Sequence, residues 1–241
     1  MDIIPMRMKM RFVDFLRAAR PGSKAASSGK ANERTFCDQL RRLRYRGEAI
    51  GVAYPAGTKK DAPDTVLTLP GMRPIVLELK ENKASEGGGS NLVYHDGHYA
   101  RPKNPVVDRY YPAGYQPWEG RAPSCLVDDK SPETWAREKD SFPGLYLEVS
   151  NTAVSEYYRT KGADYIHVRG KGIYHTGEDP MRWGVPMFTP PCRIRIRAKQ
   201  HHGTSVPQDV QVCFNFRSQE LETSPYDFMD LARLPPGFTA E

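Results

Sequence analysis

The alternation of apolar and polar positions is sharpest between residues 63 and 80. Pro63-Asp64-Thr65-Val66-Leu67-Thr68-Leu69 and Ile75-Val76-Leu77-Glu78-Leu79-Lys80 are apolar, β-branched runs of strand length. The turn-forming Pro70-Gly71-Met72-Arg73-Pro74 separates them, so the pair predicts a hairpin. Strand side chains alternate in direction, which puts Glu78 and Lys80 on one face and Leu77 and Leu79 on the other. A hairpin symmetrical about Met72 sets Asp64 opposite Lys80 and Val66 opposite Glu78. Asp64 and Glu78 are then diagonal neighbours about 7–8 Å apart on one face. Upstream, Phe36, Leu40 and Leu43 recur at i, i+4 and i+7, predicting a helix over 32–45 with Asn32 as its N-cap. Glu33 falls on the same stripe, where a carboxylate is costly unless it has a partner.

The flanks are less regular. Residues 1–20 mix methionines and arginines with Phe12, Val13, Phe15 and Leu16 and are expected to form an accessory helix. The Gly-, Ser- and Lys-rich stretch 21–30 reads as a flexible joint. After Lys80 periodicity fades through 81–142, crowded with Gly, Pro and Tyr. There Gly87-Gly88-Gly89 is expected to be a mobile point, and 91–99 to form a hairpin turning at Asp96-Gly97. Pattern returns with a strand at 145–149 and a helix from Ser150 or Asn151 to Lys161. Val154, Tyr157 and Tyr158 form its buried side and Gly162 its stop. Strands at 165–168 and 172–175 follow, and 224–241 reads as a short helix with a proline-ended terminus.

A chain of 241 residues can bury one sizeable core. The expected division is an N-terminal accessory segment at 1–30 and a single domain at 31–241. That domain has its core at about 31–82 and 145–175, an insertion at 83–144 and a β-rich part at 176–223. The net charge of +6 points to a polyanionic partner. Cys37, Cys125, Cys192 and Cys213 are far apart, without CxxC or zinc spacing, and read as reduced, mostly buried thiols of an intracellular, cytoplasmic protein. No run approaches the ~20 apolar residues of a membrane span, so no membrane partner is expected.

Asp64, Glu78 and Lys80 sit where a plain core hairpin carries no charge. Two acids and a lysine on one strand pair suit phosphodiester hydrolysis. Mg²⁺ typically takes one or two carboxylates plus water and phosphate oxygens, and a bound ion lowers the pKa of its water. A neighbouring lysine orients that water or offsets charge on the phosphate. The order Pro-Asp, then Glu-Leu-Lys beginning 14 positions after the Asp, resembles the signature of the PD-(D/E)XK nuclease superfamily, which includes many type II restriction endonucleases. The resemblance covers 33–80 by motif and 145–168 by element order alone. It implies a restriction-endonuclease-like α/β core, a mixed sheet flanked by helices. By the same resemblance Asp64 and Glu78 are metal ligands, the Leu79 carbonyl a further ligand, Lys80 the catalytic lysine, and Glu33 an acid aimed at the metal. Implied too are one or two Mg²⁺ ions (Mn²⁺ able to substitute), a double-stranded DNA substrate, a homodimer and no small-molecule organic cofactor. The residues themselves also fit a solvent-facing Glu–Lys pair, and Glu33 fits an acid favoured in a first helical turn.

Arg193, Arg195, Arg197 and Lys199 alternate with Ile194, Ile196 and Ala198, giving four cations at ~6.6–7 Å intervals on one strand face, close to the phosphate spacing of DNA. A companion strand at 210–216 shows matching alternation. Lys83, Arg101 and Lys103 add cations beside the tyrosines of the insertion. The alternative reading is an edge strand whose charge deters aggregation. The function that the resemblance implies is a Mg²⁺-dependent endodeoxyribonuclease, and with the generous non-core regions a sequence-specific type II restriction enzyme. Two alternatives stay open: a viral or repair nuclease of the same superfamily, and a non-catalytic DNA-binding protein with an incidental Glu-Leu-Lys.

Overall fold

The computed structural model describes residues 21–53, 63–92, 94–95, 98–99, 109–110, 118, 120–129, 131–138, 146–200 and 207–241. The expected accessory helix at 1–20, Arg101, Lys103 and the turn residues Asp96 and Gly97 lie outside them, as do the side chains of Arg197 and Lys199. The chain runs through helix α1 (Pro21–Leu40) and strands β1 (Leu43–Tyr45), β2 (Glu48–Ala49), β3 (Gly51–Ala53), β4 (Thr65–Thr68), β5 (Ile75–Lys80) and β6 (Ala84–Leu92). The hairpin β7 (Tyr94–His95) and β8 (His98–Tyr99) follows, then short helices α2 (Ser124–Val127) and α3 (Pro132–Glu138), β9 (Tyr146–Glu148) and helix α4 (Ala153–Thr160). The last strands are β10 (Tyr165–Val168), β11 (Gly172–His175), β12 (Cys192–Gln200), β13 (Pro207–Arg217) and β14 (Phe238–Ala240).

The architecture is α/β, with one mixed sheet, antiparallel sheets and few helices. The mixed sheet has the order β11-β10-β5-β4-β3, with β10 parallel to β5 and the other neighbours antiparallel. A second, antiparallel sheet has the order β6-β13-β12-β9. The mixed sheet separates two apolar clusters. On one side Ile75, Leu77 and Tyr165 pack with Phe36 and Leu40 of α1 and with Trp183, Phe228 and Phe238. On the other, Ile166 and Val168 pack with Val154 and Tyr158 of α4 and with Ile194, Ile196, Phe214 and Phe216 of the second sheet. Strand β10 is buried on both faces, as a strand inside a covered parallel pair must be. Helix α4 thus lies against both sheets.

The β4–β5 hairpin forms as expected, in a different register. Its pairs are Thr65↔Leu77, Val66↔Val76 and Leu67↔Ile75. The turn closes at Pro70-Gly71, where Met72 N–H donates to Leu69 O at 3.2 Å and Gly71 adopts φ 70°. Proline before a positive-φ glycine is the type II signature, and it centres the hairpin one residue earlier than Met72. Asp64 therefore lies one step beyond the last pair, level with Glu78 rather than Lys80. Because the partner shifts by two residues, every side chain keeps its face.

Several other expectations need correction. The expected helix at 32–45 is α1 only as far as Leu40, and α1 begins at Pro21, so the stretch expected to be a flexible joint is helical. Leu43 and Tyr45 are buried by alternation in β1, which pairs with β14 through Leu43↔Ala240 and Tyr45↔Phe238. That partner lies almost two hundred residues away, beyond the reach of a local pattern. The tail holds β14 and a 3₁₀ turn at Leu231–Arg233. The strand expected at 145–149 is β9, but it pairs with β12 in the second sheet and lies outside the mixed sheet. The hairpin around Asp96-Gly97 is present through Tyr94↔Tyr99 and His95↔His98. Among the described residues no helix is long and apolar enough to cross a membrane, and the four cysteines are buried and form no disulfide.

The glycine triplet is structural. It lies within β6, where the register slips between Val212↔Ser90 and Phe214↔Gly87, the extra residue of a β-bulge. Gly88 holds φ 65°, and a Cβ there would meet the Phe214 ring at 3.0 Å. A Cβ on Gly87 would lie 2.8 Å from the Tyr158 hydroxyl. The side chains are missing because α4 presses its tyrosines onto this strand. Gly88→Ala is accordingly expected to cost about 1–3 kcal/mol, from the forced left-handed backbone and the ring contact. A urea-unfolding midpoint equal to that of the unmodified protein would show that the bulge is not under this constraint.

Candidate active site

The hairpin and α4 bring four charged side chains together. Along β5, Val76, Glu78 and Lys80 face α4, while Ile75 and Leu77 enter the opposite cluster. Glu78 is 3% exposed, and each of its oxygens meets an ammonium: Lys80 Nζ is 3.0 Å from Oε2 and Lys161 Nζ is 3.1 Å from Oε1. Asp64 Oδ2 accepts the Leu79 N–H at 2.8 Å and lies 3.7 Å from Lys80 Nζ. Lys80 Nζ also stands 4.8 Å from the centre of the Tyr158 ring, a cation–π contact. Asp64, Glu78 and Lys80 therefore converge.

Each group titrates according to its neighbours. Burial pushes the Glu78 carboxyl up, but Lys80 and Lys161 outweigh it and hold the group below its ordinary value. At Asp64 burial prevails and raises the carboxyl: Lys80 and the Leu79 N–H pull it down, while the charges of Glu78 and Glu33 push it up. Unequal access to the lysines thus splits the two acids. Burial disfavours the Lys80 ammonium, yet Tyr158, Glu78 and Asp64 raise its pKa above that of an ordinary lysine. Lys80 is a fixed cation at neutral pH, suited to charge stabilisation.

The donor set suits a hard divalent ion. Asp64 and Glu78 offer carboxylate oxygens. The Leu79 carbonyl leaves the strand on the same side as its N–H, which is the side of Asp64. Two carboxylates and a carbonyl match the sparse protein ligation of Mg²⁺, completed by water and phosphate. Among the described residues no group of three or more His, Cys, Asp or Glu side chains is placed to hold a metal, so Glu33 does not complete a triple. Glu33 nevertheless shares a cleft of about 130 Å³ with Phe36, Leu79, Lys80, His167 and Arg169. Two tethers bring α1 there: Asn32 Nδ2 donates to Glu81 Oε1 at 2.6 Å, and Cys37 Sγ lies 3.2 Å from Thr65 Oγ1. The cleft opens at the carboxyl ends of the parallel β5 and β10, the usual place for a ligand in such sheets.

The arginine row has partners inside the protein. Arg195 reaches Glu86 on β6 at 2.6 Å, and the Arg193 guanidinium lies 3.6 Å from the centre of the Tyr146 ring. Lys83 is exposed just beyond β5. Lys161 and Tyr158 escaped the sequence reading in their roles at the site. Lys161 closes its helix like any cation suited to a C-terminus, and its acid partner is 83 residues away. No sequence signal marked it: the pattern put Glu78 on the face opposite Leu77 and Leu79, and only the structure shows that face buried, where one lysine is too little for a carboxylate.

The split titration has a consequence for stability. Asp64 binds its proton more tightly folded than unfolded, so its ionised form costs stability at neutral pH. Glu78 is the reverse: its contribution is present above the ordinary value of 4.5 and is lost as pH falls through the lower folded value. At pH 7 Asp64→Asn is expected to raise Tm, and Glu78→Gln to lower it by leaving two lysines facing each other. Each kcal/mol corresponds to about 2–4 °C in a chain of this size. A drop in Tm for Asp64→Asn would show that its charge supports the fold.

Compared with known proteins, the chain matches no family model, no curated protein and no solved structure.

Proposed function

We propose that this protein is a Mg²⁺-dependent endodeoxyribonuclease of the PD-(D/E)XK kind, cutting double-stranded DNA. The observation that carries the reading is the convergence of Asp64, Glu78 and Lys80 at the carboxyl end of β5. The order of elements supports it: α1, the β3–β4–β5 meander, then α4 and a strand parallel to β5. A bound ion supplies an activated water and Lewis acidity at the phosphate. Asp64 and Glu78 would hold it, and Lys80 would keep an ammonium where charge builds up on the phosphate oxygens. Hydrolysis forms one P–O bond from water and breaks another, and the leaving oxygen takes a proton. With Arg193 and Arg195 engaged inside their sheet, Arg169, which lines the cleft 3.9 Å from Glu81, and the exposed Lys83 just beyond β5 are the phosphate contacts of this reading. A symmetric dimer would cut both strands of a palindromic site.

Incubation of the purified protein with a mixed-sequence plasmid and Mg²⁺ tests the reading. Discrete bands are the result expected of a restriction enzyme, whereas cleavage confined to branched or frayed DNA would assign a structure-specific nuclease. Lys80→Ala is expected to slow single-turnover cleavage by about 100-fold or more with little change in DNA affinity, the mark of an interaction made in the transition state. Asp64→Asn is expected to abolish cleavage while leaving a folded, DNA-binding protein. Mg²⁺-dependent cutting retained by Asp64→Asn would overturn the site.

A further inference from the structure

Glu78 is overcommitted for a metal ligand. Both oxygens already carry an ammonium, and the two lysines balance the two acids charge for charge. A Mg²⁺ ion binds a carboxylate oxygen at ~2.0–2.1 Å. An ammonium 3.1 Å from Oε1 fills the space that ion needs and repels it. Lys161 and an ion therefore compete for Oε1.

The surroundings decide which lysine yields. Lys80 stands between both acids, 3.0 Å from Glu78 and 3.7 Å from Asp64, with the Tyr158 ring behind it. Its backbone is held in β5, where its carbonyl accepts the Arg169 N–H at 2.9 Å. Lys161 follows the last turn of α4 and is succeeded by Gly162 at φ 83°. Its ammonium approaches Glu78 from the helix side, 5.8 and 5.7 Å from the ring centres of Tyr157 and Tyr158. A four-carbon stem on a helix end re-aims by rotamer changes alone, and the flanking rings give it an apolar path.

We propose that Lys161 is an exchangeable counter-ion: it neutralises Glu78 Oε1 in the metal-free protein, leaves that oxygen when a divalent ion is bound, and then presents its ammonium to the scissile phosphate. This rests on the metal-dependent reading of the same carboxylates. It makes Lys161 a positioning residue for the ion and a phosphate contact for the substrate, a role the Pro-Asp and Glu-Leu-Lys motif does not contain.

The test measures ion binding without DNA. Calorimetric titration of Mn²⁺ and of Mg²⁺ alone is compared among the unmodified protein, Lys161→Met, Lys161→Arg and Glu78→Gln. Methionine keeps the stem against the tyrosines and removes the charge, so Lys161→Met is expected to bind the ion about tenfold or more tightly, the competing cation being gone. Lys161→Arg keeps the competitor and is expected to match the unmodified protein, which separates loss of charge from loss of fold. Glu78→Gln is expected to lose binding. Cleavage by Lys161→Met should fall even at saturating metal. Unchanged or weaker ion binding by Lys161→Met overturns the exchange, as does binding by Glu78→Gln equal to that of the unmodified protein. If Lys161→Met binds tightly and no form of the protein cuts DNA, the exchange stands and the nuclease reading fails.

Discussion

A carboxylate sunk between two layers of structure organises this molecule. Glu78 has almost no contact with solvent, and an isolated charge in such a place costs several kcal/mol. The cost is offset from two directions, by Lys80 within the same strand and by Lys161 at the end of α4. The second bond ties α4 to the mixed sheet at the point where the helix also leans on the second sheet. Apolar packing holds these layers together without fixing their alignment, because it is non-directional. The pair of ammoniums on Glu78 supplies direction.

The same alignment explains the glycines of β6. Tyr157 and Tyr158 sit 6.0 and 6.3 Å from Phe214 and Phe216, and Tyr158 also carries Lys80 on its ring. One aromatic side chain therefore touches the second sheet with one surface and the charged cluster with another. The strand beneath must lack side chains for the helix to come that close. What reads as an insertion between two halves of a core thus supplies an edge strand and the seat for the helix bearing Lys161. A change at the bulge is felt at the charged cluster through rigid, closely packed rings.

Electrostatics divides the cations of this basic chain into two kinds. Arg193 and Arg195 have their counterparts within the second sheet, a ring and a carboxylate. An exposed pair of that sort contributes little to stability, yet it removes the repulsion that an alternating row of arginines would otherwise carry. Arg169 lines the cleft at the end of β5, 3.9 Å from Glu81, and Lys83 is exposed just beyond that strand. Asp64 and Glu78, two like charges at close quarters, are held together by the lysines between and beside them.

Elements whose cause is local are legible in the residues themselves. The hairpin follows from β-branched runs around Pro70-Gly71, the helix ending before Gly162 from its apolar spacing, and the pairing of β12 with β13 from alternation. The residue pattern also set the faces of Glu78 and Lys80, because period two survives an even shift of register. Tertiary structure alone decided the rest. The chain around Leu43 became a strand because β14 returns from the far end to pair with it. The glycine triplet became a bulge because two tyrosines press on it from another element. The strand before α4 left the mixed sheet because β12 offered its edge. Lys161 reached Glu78 for the same reason: a charge buried by long-range packing takes its partner from whatever element the packing brings near, and no local pattern records which one that is.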